Sequence, residues 1–278
     1  MDFKLGVMLE SFRLPDREAI ESAAKIGAQG IQMYCTGGDH APENMTAKKK
    51  RELLSMMEAN GLVFSAICGD LGMGFGNKEK NPMLVEKSKR ILDLAKELGT
   101  DVVTTHIGVV PRDPEHERYK IMQEACFELS RYADSLGSHF AIETGPEIAS
   151  TLRTFLDSLG STGVAVNLDP ANLVMVTGDD PVAAVDTLAP YIVHTHAKDG
   201  VKLMDNDPEK VYHVVDEVPT GRGFMEVALG EGQVDVPNYL AALDRIGYHG
   251  FLTIEREVGE DPARDIRKAA DFLRALYQ

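Results

Sequence analysis

Three carboxylates and one imidazole recur at matching points of four successive strand-like runs in the second half of the chain. Glu143 lies in Phe140-Ala-Ile-Glu-Thr144, Asp169 in Val166-Asn-Leu-Asp-Pro170, His196 in Val193-His-Thr-His-Ala-Lys-Asp199 and Glu255 in Leu252-Thr-Ile-Glu-Arg256. A side chain at the end of a strand projects from one rim of its sheet. Four neighbouring strands would therefore gather these groups around one point. Hard oxygen donors with a single imidazole suit one divalent ion, Mn2+, Mg2+ or Co2+, in a six-coordinate site with open positions. Zn2+ stays open as well, although a set without thiolate is less typical of structural zinc. Each residue also has an ordinary role available. Glu143 could pair with Lys198, Asp169 could cap the next helix, His196 could be a satisfied core histidine, and Glu255 could pair with Arg256 or another rim cation. The coincidence of all four at equivalent points favours the joint reading.

Those positions require a particular scaffold. Short Val- and Ile-rich runs alternate with Leu, Ala, Glu and Lys at helical spacing from end to end. Strands are predicted at 4–9, 30–35, 62–68, 101–107, 139–143, 163–169, 191–197 and 250–256. Helices are predicted at 16–26, 46–60, 82–98, 114–136, 148–159, 181–188, 237–246 and 262–276, the second capped by Thr46. Glycines 27, 61, 99, 137 and 247 stand at helix ends, where a left-handed stop is needed. Strict alternation implies a parallel sheet with helices outside it, and a count of eight favours a closed (β/α)8 TIM barrel, α/β in class, as a single domain over residues 1–278. An open doubly wound sheet is the alternative; no Gly-x-Gly-x-x-Gly follows the first strand to support a dinucleotide site. Two connections are long. A glycine-rich stretch, 68–81, follows the third strand, and 198–236 follows the seventh. Both lie on the rim where barrel active sites form.

Composition narrows the function. The chain has 278 residues and a formal charge of −15, which argues against gripping a nucleic-acid backbone. Cys35, Cys68 and Cys126 form neither a disulfide framework nor a Cys-x-x-Cys zinc pattern, and read as free thiols of a reducing cytoplasm. The N-terminus shows no cleavable leader pattern, and no apolar run approaches the roughly 20 residues of a membrane span. The expectation is a cytoplasmic protein with no membrane partner; a homo-oligomer stays open. The Lys48–Arg51 run reads as a solvated helix face. The glycines at 69–76 lack the Lys-Ser/Thr ending of a phosphate loop.

The chain resembles the xylose-isomerase-like TIM barrels, the sugar phosphate isomerase/epimerase family related to endonuclease IV. The resemblance spans nearly the whole chain. Its most specific parts are Ala141-Ile-Glu-Thr, Asn167-Leu-Asp-Pro-Ala-Asn172, His194-Thr-His-Ala-Lys-Asp199, Gly230-Glu-Gly-Gln-Val-Asp235 and Leu252-Thr-Ile-Glu-Arg-Glu257. It implies that Glu143, Asp169, His196 and Glu255 bind one divalent ion, with Mn2+ favoured, and that the substrate is a small carbohydrate. His194 lies on the same side of its strand one step deeper, so His196 is the ligand. The endonuclease relatives need further histidines for three zinc ions. This chain has Ala66-Ile-Cys68-Gly and Asn172 where two of them fall, and no Asp-x-His pair at 230–235. DNA repair at an apurinic site is thus disfavoured. Asn172 also replaces a histidine used by many ketose 3-epimerases of the family, and the chain has no Trp to wall a sugar.

The implied chemistry is proton transfer next to a carbonyl. An ion chelated by a hydroxyketone stabilises an enediolate, with Glu143 and Glu255 as catalytic base and acid. Proton return to the opposite face gives epimerisation, return to the adjacent carbon gives isomerisation, and loss of a β-hydroxyl gives dehydration. The leading expectation is an isomerase or epimerase of a sugar or polyol derivative. A dehydratase or lyase acting on a keto-sugar or keto-inositol is the alternative, and a barrel that binds a ligand without turning it over comes next. His106, Lys198, Asn172 and Arg222 are the candidate substrate contacts. Arg222, between two glycines of the long loop, could close on an anion or stay solvated. Arg256 should point away from Glu255, with Glu147 and Glu257 in supporting positions.

Overall fold

The computed structural model describes residues 1–205, 207–211 and 221–277. Ten strands and ten α-helical segments follow along the described residues. The strands are β1 (Lys4–Met8), β2 (Gly30–Tyr34), β3 (Val63–Cys68), β4 (Val102–Thr105), β5 (His139–Glu143), β6 (Val164–Leu168), β7 (Ile192–Ala197), β8 (Asp199–Lys202), β9 (Phe224–Val227) and β10 (Phe251–Ile254). The helices are α1 (Asp16–Lys25), α2 (Ala47–Ala59), α3 (Asn81–Leu98), α4 (Glu117–Leu136), α5 (Ala149–Leu159), α6 (Pro170–Asn172), α7 (Pro181–Leu188), α8 (Pro208–Val211), α9 (Val236–Arg245) and α10 (Pro262–Tyr277).

Eight strands close a parallel barrel in the order β1-β10-β7-β6-β5-β4-β3-β2, so the (β/α)8 expectation holds. Each of the eight predicted strands is found, and the helices between them lie within a few residues of their predicted bounds. The Thr46 cap is present: its hydroxyl accepts from the Lys49 amide. Gly99 and Gly137 end α3 and α4 at φ 85° and 60°, a conformation that a side chain would disfavour.

The expected count of eight strands and eight helices is exceeded for a local reason. The 198–236 connection folds back as an antiparallel hairpin, in which Asp199 pairs with Val227 and Lys202 with Phe224. Residues 206 and 212–220 of that connection lie outside the described residues. The hairpin foot is held by one carboxylate. Asp199 Oδ1 accepts from Gly200 and Val234, and Oδ2 from Gly230 and Gly232, at 2.8–3.1 Å. A second addition follows β6, where α6 runs into a π-helical turn over Leu173–Thr177.

The strands are buried on both faces. Ile31, Ile67, Val103, Phe140, Val166 and Leu252 are almost wholly removed from water, which is why they read as apolar runs rather than alternating ones. No helix among the described residues is long and apolar enough to cross a membrane.

Candidate active site

Beneath the C-terminal rim the barrel interior is polar. Gln32, Thr104, Asn167 and Thr253 come from β2, β4, β6 and β10, and all are fully buried. Alternate strands fill a TIM-barrel layer in this way. A buried amide without partners would be costly, and here each is paired. Gln32 donates to Thr104 Oγ1 at 2.9 Å. Asn167 Oδ1 lies 2.8 Å from His194 Nδ1, and His194 Nε2 lies 2.9 Å from Thr253 Oγ1. His194 is thus a satisfied interior residue. Its burial and the neighbouring His196 push its pKa down to about 3, so it stays neutral.

Above this layer the four sequence-predicted ligands converge. Glu143, Asp169, His196 and Glu255 are all buried, and one donor atom from each lies within 4.8 Å of the others. The shared point is His196 Nδ1, at 3.2 Å from Glu255 Oε2, 3.3 Å from Asp169 Oδ2 and 3.5 Å from Glu143 Oε1. The other ring nitrogen faces the polar layer, with Nε2 3.0 Å from Gln32 Oε1. When Nε2–H donates to Gln32, the Nδ1 lone pair is left for the cluster, as an orienting partner does for a metal-bound histidine.

Each carboxylate is held by its spare oxygen or its backbone. Asp169 performs both roles open to it: Oδ1 caps α6 by accepting from the Asn172 amide at 2.9 Å, and Oδ2 faces the cluster. Thr144 Oγ1 and the Asp169 backbone bond each other in both directions. Glu143 accepts from Asn167 on one oxygen and Asn172 on the other, both at 3.1 Å. Of the ordinary pairings open to the two glutamates, the one formed is that of Glu255 with a rim cation other than Arg256. Lys198, itself buried, donates to Glu255 at 2.8 Å and to Glu257 at 2.6 Å. Arg256 turns away, as the strand period requires, and binds Glu226 at 2.6 Å and Asp265 at 3.2 Å.

The electrostatics follow from this crowding. Burial alone would raise Glu143 and Glu255. The opposing charges win: His106 and His196 hold Glu143 below its ordinary range, and Lys198 and His196 hold Glu255 well below it. Burial would lower His196 and Lys198, but the carboxylates raise both well above their usual values. With His196 neutral and its Nδ1 lone pair turned to the cluster, three carboxylates face one ammonium, a buried surplus of negative charge. A divalent ion fits that surplus and that donor set.

Two residues of the cluster, Glu143 and Glu255, line a cavity of about 530 Å3. The other candidate contacts all border it. His106, at the end of β4, has Nε2 3.5 Å from Glu143 Oε1. Burial pulls its pKa down, and Glu143, Asp70 and Glu255 overcome that and raise it. Asn172, Lys198 and Arg222 also line the cavity. Arg222 donates from Nε to the Phe224 carbonyl at 3.1 Å. Glu147 stands apart. It lines a smaller neighbouring cavity and accepts from the Val110 amide. Sequence reasoning missed Gln32 and Asn167. It also missed the side chains that the hairpin brings to the cavity, Phe224, Met225 and Glu226.

Comparison with known proteins agrees with this architecture. Residues 20–276 match the model of the xylose isomerase-like TIM barrel family, and the chain belongs to that family. It is 28% identical over 138 residues to an inosose dehydratase of Lacticaseibacillus casei, covering 50% of this chain and 43% of that protein. It is 23% identical over 229 residues to an inosose isomerase of Bacillus velezensis, covering 78% of this chain and 72% of the relative. Among solved structures, a xylose isomerase domain protein from Planctomyces limnophilus superimposes with a TM-score of 0.81 at 25% identity. That match covers 99% of this chain and 96% of the other.

Proposed function

We propose that this chain is a divalent-metal-dependent isomerase or epimerase of a sugar or polyol derivative. The observation that carries the reading is the convergence of four buried donors at one end of a ligand-sized cavity. Glu143, Asp169, His196 and Glu255 would hold the ion, with Mn2+ favoured by the mixed oxygen and nitrogen set. When bound, the ion supplies Lewis-acid stabilisation of charge on the substrate's carbonyl oxygen.

The protein's own groups do the proton work. Glu143 and Glu255 both border the cavity and both are held ionised. Either is therefore ready to accept a proton from the carbon beside the carbonyl, whose electron pair moves onto oxygen to give an enediolate. Glu143 taking the proton becomes the acid that can return it to the adjacent carbon, which is isomerisation. Return from the opposite side needs a proton on Glu255, taken up from water in the cavity, while Glu143 releases the proton it took; the Lys198 ammonium at 2.8 Å holds Glu255 in place. That route is epimerisation. His106 and Asn172, both against Glu143, are placed to hold substrate hydroxyls, and Arg222 stands at the mouth. The buried, unpaired cysteines suit a reducing cytoplasm. The charge of −15 supports a small-molecule substrate rather than nucleic acid.

A second reading uses the same enediolate. The Lacticaseibacillus relative is an inosose dehydratase, and loss of a β-hydroxyl, protonated as it leaves, would make this chain a lyase on a keto-inositol or keto-sugar. Incubating the Mn2+-loaded protein with ketoses and inososes in heavy water separates the readings. Carbon-bound deuterium without loss of water supports the isomerase, and an unsaturated product supports the lyase. Neither event in any substrate would leave a barrel that binds without turnover, and events that persist undiminished in Glu143→Gln would remove the role given to Glu143.

A further inference from the structure

The cavity has two chemically different halves. At the metal-ligand end stand Glu143, Glu255, Lys198, His106 and Asn172. Among the described residues the remaining lining is mostly apolar: Met8, Met175, Val176, Phe224 and Met225, with Tyr34 standing near Glu143 and Glu255. Among the polar groups that reach that half, Glu226 is occupied by Arg256 and by the Glu257 amide. Lys198 is spent on Glu255 and Glu257. Among the described residues Arg222 bonds a backbone carbonyl and no carboxylate.

A free monosaccharide presents a hydroxyl on nearly every carbon. Against this wall those hydroxyls would lose water and find few partners, which costs affinity. The volume of about 530 Å3 falls in the range of pockets that enclose drug-sized ligands, so it leaves room beyond one ring held at the metal end. Three of the wall residues, Met8, Met175 and Met225, are thioethers. Such side chains adapt to an aromatic face and contact it favourably.

We infer that the substrate is a hydroxyketone ring that carries an apolar substituent, an aryl or alkyl glycoside or ether rather than a free sugar, with the substituent lying against the Met175–Phe224–Met225 wall. The inference rests on the proposed function for the orientation of the ring and names the substrate class of that same site. The hairpin supplies the selectivity. Phe224 and Met225 stand on β9, the Asp199 carboxylate fixes the hairpin foot, and Gly200 of β8 packs so closely on Met175 that a side chain there would strike its sulfur.

The test uses matched pairs of ketones: the keto derivatives of p-nitrophenyl and methyl β-glucoside and β-galactoside, and the phenyl and methyl ethers of an inosose. Calorimetric titration into Mn2+-loaded protein reads the affinity ratio within each pair. Burial of a phenyl ring should favour the aryl member by about tenfold or more in at least one pair. Phe224→Ser and Met225→Ser change half-exposed positions, so both variants should fold, and each should bring that ratio towards one. Equal affinity within every pair, no aryl member bound at millimolar concentration, or a ratio unchanged in both variants overturns the inference. Glu143-dependent deuterium exchange is scored separately on unsubstituted hydroxyketones, so the substituent preference can fail while the proposed chemistry stands.

Discussion

The two halves of the cavity are built by different physics. The ligand end rests on barrel strands, and every functional group there has a second partner that fixes it: Gln32 behind His196, Asn167 and Asn172 on Glu143, Lys198 on Glu255, the α6 amide on Asp169. The opposite wall is carried by a two-stranded hairpin outside the barrel, and its contacts are apolar. Chemistry needs groups held to a fraction of an ångström, which strand ends supply. Selection of a substituent needs shape and exchangeable side chains, which a hairpin supplies without disturbing the ladder. The same scaffold can thus keep its proton chemistry while its substrate changes.

If that division is right, lesions on the two sides should differ in kind. The largest effect is expected for Glu143→Gln, which keeps the shape but removes a base. Exchange of substrate hydrogen for deuterium, followed by NMR, should fall by at least about a hundredfold. Next comes Gln32→Leu. It touches neither cavity nor ion, yet it frees His196 to choose the wrong tautomer. Metal affinity, read by competition with a chelating dye, should weaken by roughly 10–100-fold, whereas the hairpin variants Phe224→Ser and Met225→Ser should leave it within about threefold.

On the hairpin side, Asp199→Ala strips four backbone amides of their acceptor. A loss of about 3 kcal/mol in urea unfolding is expected, together with protease cleavage in the 198–236 connection. Retention of full stability would break the account of the hairpin foot.

The smallest effect sharpens the comparison from outside both halves. Burial pushes the Glu147 carboxyl up to about 8, and its Oε1 has no hydrogen-bond partner among the described residues. A group whose folded pKa is raised stabilises fully below its unfolded value, and that contribution is lost as pH rises through the folded value. The window here runs from about pH 4.3 to about pH 8. Glu147→Gln should therefore match the wild type near the acidic end and melt several degrees higher at the alkaline end. A difference independent of pH would contradict this.

The barrel was legible in the sequence because buried parallel strands read as unbroken Val and Ile runs, and because helix ends carry glycine. The four candidate ligands were legible for a related reason: acidic and imidazole groups are conspicuous after such runs. Their supports were not. A buried Gln32 or Asn167 looks the same in sequence as a solvated one until topology places it inside the barrel. Lys198 was named, but its pairing with Glu255 and Glu257 depends on how β7 leaves the rim. The wall was the least visible. Met175, Phe224 and Met225 are apolar residues of an ordinary type, and only the fold-back of β9 brings two of them to the cavity.

The account depends most on a single cation held by Glu143, Asp169, His196 and Glu255. Elemental analysis after Mn2+ loading and gel filtration tests it directly, with wild type beside Asp169→Ala and His196→Ala. One ion per wild-type chain, and well under half an ion in each folded variant, is the predicted result. A wild type without metal, or variants that keep the full complement, would contradict it.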